Sequence, residues 1–319
     1  MSALSELSRL RRRGAPASKS PAERNDGKAA LFFLGPWFIG LLVIVAGPLA
    51  ASFYLSLTDY NLLSSPTFEG LANYQALLTD AQLRKALQVT FTYVFVSVPL
   101  QLAAALGLAL LLDRGLRGLA VYRSVYYLPS LLGGSVAIAI LWRQIFGTEG
   151  LVNQVLWWFN DIQPFFHIQT QGWVSNPDTA LGTLMILNVW TFGSPMVIFL
   201  AGLRQIPEMY YEAASIDGAS RWRQLLKITL PLLTPIIFFN LVLQVINAFQ
   251  TFTQSYIVSG GSGGPVDSTL FYTLYLYIQA FTNLNMGYAS AMAWVLLLIV
   301  AVMTALNFFL SKYWVFYND

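Results

Sequence analysis

The chain has 319 residues, of which 56% are hydrophobic and 10% are charged, and its mean hydropathy is +0.58. Because so few charges cannot cover the surface of a soluble globule of this length, the composition predicts a membrane protein. Cysteine is absent and His167 is the single histidine, which excludes disulfides, thiolate chemistry and paired-histidine metal sites. The net charge of +3 does not indicate nucleic acid, since the basic residues lie beside apolar runs.

The N-terminal residues 1–28 are basic and rich in Ser, Ala and Pro without an apolar period, which predicts a disordered tail. The remainder, 29–319, is predicted to be an all-α transmembrane domain, because several of its charge-free runs reach the roughly 20 residues that one helical crossing requires. The first run is longer than the apolar region of a signal peptide, so we expect an uncleaved helix. Six crossings are predicted, at 31–57, 87–112, 122–146, 180–203, 231–253 and 286–311.

The basic residues predict the orientation, because Lys and Arg beside a span stay in the cytoplasm. With a cytoplasmic N-terminus, 15 of the 18 Lys and Arg residues fall in cytoplasmic segments, and only Arg84, Lys85 and Arg143 fall outside. We therefore expect both termini to be cytoplasmic.

Three further segments are predicted not to span. Residues 268–285 are uncharged and aromatic, and a seventh crossing there would move Lys312 outside, so we expect an interfacial helix at the outer headgroup level. The outer segments 58–85 and 147–179 are too short for an independent ligand-binding domain. Capture of a ligand outside the membrane would then require another protein.

The loop 204–231, between the fourth and fifth crossings, predicts two short helices separated by a sharp turn. Pro207 and Glu208 suit the start of a helix, and Gly218 suits its end. The small residues Ala213 and Ala214 would allow another protein's backbone to approach closely. An ordinary amphipathic surface helix is the alternative.

The loop also carries a spaced motif, formed by Glu212, Ala213, Ala214, Gly218, Ile228, Leu230 and Pro231. This motif resembles the loop by which permease subunits of bacterial binding-protein-dependent ABC importers engage their ATPase. Segments elsewhere are similar to the carbohydrate-uptake branch of that family. They begin at Tyr127 (Tyr-Leu-Pro-Ser), Trp142 (Trp-Arg-Gln-Ile-Phe-Gly), Gly150 (Gly-Leu-Val-Asn), Phe199 (Phe-Leu-Ala-Gly-Leu-Arg-Gln-Ile-Pro-Glu) and Met286 (Met-Gly-Tyr-Ala-Ser-Ala-Met-Ala-Trp), with Gly264-Pro265 and Ser268-Thr269 before the last.

The resemblance implies a permease in the bacterial inner membrane that works with a second permease, two ATPase subunits and an extracytoplasmic sugar-binding protein. It implies that the ATPase docks on Glu212, Ala213, Ala214, Asp217 and Gly218, with Glu212 as the polar anchor and Gly218 as the turn. The chain has no GxxxxGK[ST] motif, so we expect no cofactor on it, and ATP and magnesium would bind the ATPase.

Polar residues in the fifth crossing predict a possible solute pathway. They recur at spacings of four and three residues, which would place them on one helical face, and amides can pair with sugar hydroxyls. Hydrogen bonding between helices is the alternative interpretation. The stripe consists of Asn240, Gln244, Asn247, Thr251 and Gln254, and weaker candidates are Asn188, Trp190 and Gln101.

Two other classes of protein are alternatives to a permease. An ion- or proton-coupled secondary transporter normally has buried carboxylates in its spans, and the six predicted spans contain no Asp or Glu. A membrane enzyme requires a nucleophile with a base, or a metal constellation, and no such grouping is present in the sequence. The outer cations Arg84, Lys85 and Arg143 could attract an acidic sugar, or they could be interfacial charges that reach to water.

Overall fold

A computed structural model describes residues 21–113, 118–162 and 168–316. Most of the predicted tail, as well as Arg114, Arg117 and His167, lies outside the described residues. The described residues are mostly helical, which confirms the predicted all-α class. By their contacts, they fall into two units, Met1–Tyr54 and Leu55–Asp319.

The first unit is one helical stretch. Helix α1 (Pro21–Gly40) continues through a π-helical turn (Leu41–Ala46) into α2 (Gly47–Ser56). Residues 21–28 are therefore helical, although the sequence placed them in the disordered tail. The apolar side chains from Phe32 onward are mostly exposed, as expected for a segment solvated by lipid.

The second unit begins with a small antiparallel pair of strands, β1 (Thr58–Asp59) and β2 (Thr67–Phe68), in which Thr58 lies opposite Phe68. Within the described residues, thirteen α-helices follow in chain order: α3 (Ala72–Thr79), α4 (Ala81–Leu112), α5 (Leu119–Leu132), α6 (Val136–Ile145), α7 (Leu151–Ile162), α8 (Pro177–Trp190), α9 (Gly193–Leu203), α10 (Glu208–Ile216), α11 (Arg221–Gln224), α12 (Leu230–Phe249), α13 (Thr253–Val258), α14 (Tyr272–Tyr277) and α15 (Met286–Ser311). A π-helical turn, Leu225–Thr229, joins α11 to α12.

Five helical segments of the described residues are long and apolar enough to cross a membrane: Phe32–Ser56, Ala81–Leu112, Pro177–Leu203, Arg221–Phe249 and Met286–Ser311. They correspond to five of the six predicted crossings. The predicted third crossing is not a straight helix, because α5 and α6 meet at an angle of 96°. Gly133 and Gly134 interrupt the helix, and Ser135 caps the next one by accepting a hydrogen bond from the Ile138 amide at 3.3 Å.

Helix α4 is the centre of the second unit. It packs against α8, α9, α12 and α14, and its buried positions include Ala86, Ala105 and Ala109. Small side chains at these positions allow neighbouring helices to approach closely, as is typical of helix packing in membranes. Among these neighbours, α8, α9 and α12 also contribute residues to the cavity described below.

Residues 268–285 form no helix long enough to span, but three of their five aromatic side chains are not at a lipid surface as the sequence suggests, whereas Tyr277 is half-buried and Phe281 is 57% exposed. Phe271, Tyr272 and Tyr275 are buried in the protein core. The Tyr272 amide donates to Thr90 Oγ1 at 2.9 Å, and the Tyr272 hydroxyl donates to the Met292 carbonyl at 2.7 Å. Composition alone could not distinguish burial in protein from burial in headgroups, because both suit a tyrosine with a bonded hydroxyl.

Asp80 joins three helices next to this segment. One carboxylate oxygen caps α4 by accepting from the amides of Gln82 and Leu83, and the other accepts from the hydroxyls of Tyr275 at 2.6 Å and Tyr288 at 2.5 Å. Burial raises the pKa of Asp80, but these hydrogen bonds to the charged form outweigh it, and the pKa lies below its ordinary value. Asp80 thus fixes the start of α4 against α14 and α15.

Candidate functional site

A polar cavity of about 470 Å³ lies where three helices are interrupted. The break between α5 and α6 contributes Gly133 and Gly134, the junction of α8 and α9 contributes Thr191, and the residues between α12 and α13 contribute Gln250 and Thr251. Interrupted helices expose backbone groups that a continuous helix would pair internally. Inside a membrane protein, such backbone occurs where it is buried in protein or faces a water-filled space.

Hydrogen bonds fix one wall of the cavity around Thr191. Gln101 Nε2 donates to Thr191 Oγ1 at 3.0 Å and to the Thr191 carbonyl at 3.3 Å. Ser130 Oγ donates to the same carbonyl at 2.9 Å and accepts from the Ser194 amide at 2.8 Å. The Gln101 side chain is buried, and its Oε1 atom accepts no hydrogen bond from the described residues. Gln101 is thus a lining residue of the cavity that is held in place by Thr191.

The opposite wall consists of the polar residues predicted from the sequence. Gln244, Asn247, Thr251 and Gln254 all line the cavity. They do not lie on one continuous helix as expected, because α12 ends at Phe249 and Gln254 belongs to α13. Gln254 Nε2 donates to the Gly133 carbonyl at 3.1 Å, which ties α13 to the break between α5 and α6.

The remaining pathway candidates divide between the cavity and the packed interior. Asn188 lines the cavity and donates to Ser97 Oγ at 3.0 Å. Asn240 is fully buried away from the cavity, and its Nδ2 donates to the Ile236 carbonyl one turn earlier at 3.0 Å. Trp190 does not line the cavity either, and its ring lies 6.0 Å from that of Trp142.

Sequence reasoning missed Ser130, Gly133, Gly134 and Thr191 as parts of the site. The adjacent glycines were the available signal, because two of them inside a predicted span indicate a break. All the residues that line the cavity are uncharged, and no group of three or more potential metal ligands occurs among the described residues. The cavity can therefore bind a neutral polyhydroxyl compound through side-chain amides, hydroxyls and main-chain carbonyls.

The second candidate site is the loop that contains α10. The helix starts after Pro207, with Glu208 in its first turn. It ends in a Schellman motif, in which the Ala219 amide donates to the Ala214 carbonyl at 2.9 Å and the Gly218 amide to the Ser215 carbonyl at 3.1 Å. Gly218 has φ +75°, as this motif requires. The predicted role of Gly218 as the helix terminator is confirmed.

Polar contacts attach α10 to the helix that leads into the membrane domain. The Tyr211 hydroxyl lies 2.9 Å from Thr229 Oγ1, and Gln224 Nε2 donates to Ser215 Oγ at 3.0 Å. Thr229 is buried directly before α12, so these contacts join α10 to a helix that lines the cavity.

The loop exposes both the predicted docking residues and large apolar side chains. Glu212, Ala213, Asp217 and Gly218 are exposed, and Ala214 is half-buried. The exposed apolar side chains are Met209 (66%), Ile216 (88%) and Trp222 (67%). Large exposed apolar side chains are characteristic of surfaces that contact another protein or a membrane.

A family model for the binding-protein-dependent transport system inner membrane component matches residues 82–314. This match covers more than half of the chain, including the cavity and the loop, and the chain belongs to this family. It is accordingly a transport permease of the inner membrane and not an enzyme.

Named relatives are consistent with this assignment. The chain is 51% identical over 302 residues to the probable ABC transporter permease protein YesP of Bacillus subtilis (strain 168), with 94% of this chain and 96% of the relative covered. It is 32% identical over 303 residues to the lactose transport system permease protein LacF of Rhizobium radiobacter, covering 93% and 99%. A crystal structure of a bacterial alginate ABC transporter, in complex with an alginate pentasaccharide-bound periplasmic protein, contains a chain with the same fold. The TM-score is 0.74 at 20% identity, with 90% of this chain and 96% of that chain covered.

Proposed function

We propose that this chain is a permease subunit of an ATP-driven importer for a sugar or oligosaccharide and forms half of the translocation pathway. The proposal is carried by the cavity at the three helix breaks, whose lining is uncharged and rich in amides and hydroxyls. Such a lining matches the hydroxyl groups of a sugar better than it matches an ion or a hydrophobic solute. The substrate classes named for relatives, such as lactose for LacF, support the same class here.

In this proposal, ATP acts through the α10 loop. Glu212, Ala213, Ala214, Asp217 and Gly218 form the surface on which a cytoplasmic ATPase docks, and Ile216 supplies an apolar anchor. The partner binds and hydrolyses ATP with magnesium, and this chain holds no cofactor. The contacts from Tyr211 to Thr229 and from Gln224 to Ser215 support the transmission of closure to α12.

The proposed assembly contains a second permease, two ATPase subunits and an extracytoplasmic sugar-binding protein, in a bacterial inner membrane with both termini of this chain cytoplasmic. The second permease would complete the pathway, since one chain supplies only half of it. A secondary transporter is less well supported, because the one carboxylate within the described spans, Asp178, is exposed in the first turn of α8 and none is buried where it could carry a proton or bind a cation.

The direct test is to purify the tagged chain from its native membrane and measure ATP hydrolysis in nanodiscs with and without the binding protein and candidate sugars. We expect a co-purifying subunit with a GxxxxGK[ST] motif and sugar-stimulated hydrolysis. Replacing Gln244 and Asn247 with Ala should lower the apparent affinity for the sugar. Asn307→Ala is the matched control, because this amide in α15 bonds to the Met303 carbonyl and does not line the cavity. Uptake by the chain alone in liposomes would refute the proposal.

A further inference from the structure

Helix α7 carries an exposed apolar stripe that the function described above does not use. Leu151, Val155, Trp158 and Ile162 follow one another at spacings of four, three and four residues, so they lie on one face of the helix. Their exposed fractions are 59%, 61%, 65% and 58%. A stripe of this size on a short helix requires an apolar neighbour.

The opposite face of α7 is fixed to the protein. Asn153 is fully buried, and its Nδ2 donates to the carbonyls of Thr148 and Gln171, both at 2.8 Å, and to that of Gly147 at 3.3 Å. Its Oδ1 accepts from Trp173 Nε1 at 2.8 Å. The polar capacity of the Asn153 side chain is thus satisfied by the loop beneath the helix. Rotating the apolar stripe inward would break these bonds.

A second anchor lies near the end of the helix. Asn160 Nδ2 donates to the Ile168 carbonyl at 2.9 Å, and Asn160 Oδ1 accepts from the Ile168 amide at 3.1 Å. Together, Asn153 and Asn160 hold α7 with its stripe outward at both ends. The exposure of the stripe is therefore a property of the fold.

The start of α7 lies close to the end of a membrane segment. Five residues separate it from α6, which belongs to the bent membrane pair, and the Gly150 amide donates to the Gly147 carbonyl at 3.0 Å. A Cβ atom on Gly150 would lie only 2.2 Å from the Ile145 carbonyl oxygen. Only glycine allows this close approach, which holds the start of α7 against the end of α6.

The residues of the apolar stripe and its edges have the composition of a helix that lies at a lipid surface. No charged residue lies within the apolar stripe, and Gln154 and Asp161 follow one edge of it at helical spacing. Trp157 and Trp158 are both exposed, and tryptophan is enriched at the boundary between lipid and water. A protein partner would not require the stripe to lie beside a membrane segment.

We propose that α7 lies in the plane of the membrane surface, with Leu151, Val155, Trp158 and Ile162 inserted among the lipid chains and Gln154 and Asp161 toward water. Helices of this type bury their apolar face about 5–10 Å into the headgroup and acyl boundary. The inference needs only that the chain spans a membrane, and it is independent of the sugar and of ATPase docking. In this position, α7 would fix the level of the α6 end relative to the bilayer.

Because the chain contains no cysteine, single cysteines can be introduced without background labelling. We would attach a nitroxide to Val155→Cys and Trp158→Cys, and to Gln154→Cys and Asp161→Cys as matched controls on the polar edge. The labelled full-length protein would be reconstituted with its co-purifying subunits in phospholipid nanodiscs. Collision rates with oxygen and with a water-soluble nickel chelate would then be compared.

We expect the labels at 155 and 158 to collide mainly with oxygen, at a depth of about 5–10 Å, and those at 154 and 161 to collide mainly with nickel. Equal nickel accessibility at all four positions would overturn the proposal. Protection of 155 and 158 from both reagents would also overturn it, because the stripe would then contact a second permease or another protein. A second measurement, quenching of Trp158 by brominated lipids taken as the difference from Trp158→Tyr, requires no label and should show strong quenching.

Discussion

Substitution of Gly218 tests whether the Schellman turn of the α10 loop transmits force. The residue has φ +75°, and no heavy atom lies within 4 Å of the position that a Cβ would occupy. The effect of Gly218→Ala is therefore conformational and not steric, and the left-handed conformation costs a residue with a Cβ about 1–2 kcal/mol. If the free energy of ATPase binding is reduced by the whole of this amount, the apparent affinity for the ATPase falls about 5- to 30-fold.

The assay is ATP hydrolysis of the reconstituted complex, titrated with its ATPase subunit, together with the amount of permease in the membrane. Gly218→Asn should lower the apparent affinity for the ATPase only a few-fold, because asparagine tolerates the left-handed region. Gly218→Val should lower this affinity more than Gly218→Ala does, since β-branched residues are poorly tolerated in the left-handed region. Gly182→Ala is the matched control, because this glycine has ordinary dihedrals and open space around its Cβ position. Equal activity of the Ala, Asn and Val variants would refute the reasoning.

Three further outcomes follow from described contacts. Gln101→Leu removes the bonds from Nε2 to Thr191, whose carbonyl still accepts from Ser130 Oγ, so the melting temperature should fall only slightly. Because Gln101 lines the cavity, the sugar concentration for half-maximal ATPase stimulation should rise about 5- to 10-fold; an unchanged value would exclude contact with the sugar. Gly287→Ala places a Cβ 2.1 Å from the Thr58 carbonyl and should destabilise the protein by about 1–3 kcal/mol in thermal unfolding, unlike Gly182→Ala. Asp80 has a lowered pKa, so its stabilisation is present above its unfolded pKa of about 4 and is lost as the pH falls through the lower folded-state pKa. Asp80→Asn, which keeps a helix cap, should lower the melting temperature at neutral pH and flatten its decline in acid; identical pH profiles would contradict this assignment.

Hydropathy and the loop motif predicted the class of fold, five of the six crossings and the turn at Gly218. These features depend on local signals, namely long apolar runs and a glycine at a helix end. The break after Phe249 had no such signal, since the residues before α13 include neither Gly nor Pro. The polar stripe was therefore extended along a helix that ends earlier, and Asn240 was placed in the pathway although it is buried elsewhere.

The environment of aromatic residues was the other feature that the sequence could not determine. Tyr272 and Trp158 both occur in predominantly apolar segments rich in aromatic residues, yet the first is buried in protein and the second is exposed. The difference arises from tertiary partners, which are Thr90 and Met292 for Tyr272. Such partners are distant in the chain and leave no local pattern.

The cavity is lined by main-chain groups at the helix breaks and by side-chain amides, and amino-acid substitution affects these two kinds of group differently. The carbonyls of Gly133 and Thr191 belong to the main chain, so substitution of side chains leaves these acceptors in place as long as the breaks persist. The side-chain amides of Gln244 and Asn247, by contrast, can each be replaced by a single substitution. A lineage of such proteins can thus acquire new substrates by altering a few side chains, while the breaks keep every variant suited to hydroxyl-rich molecules.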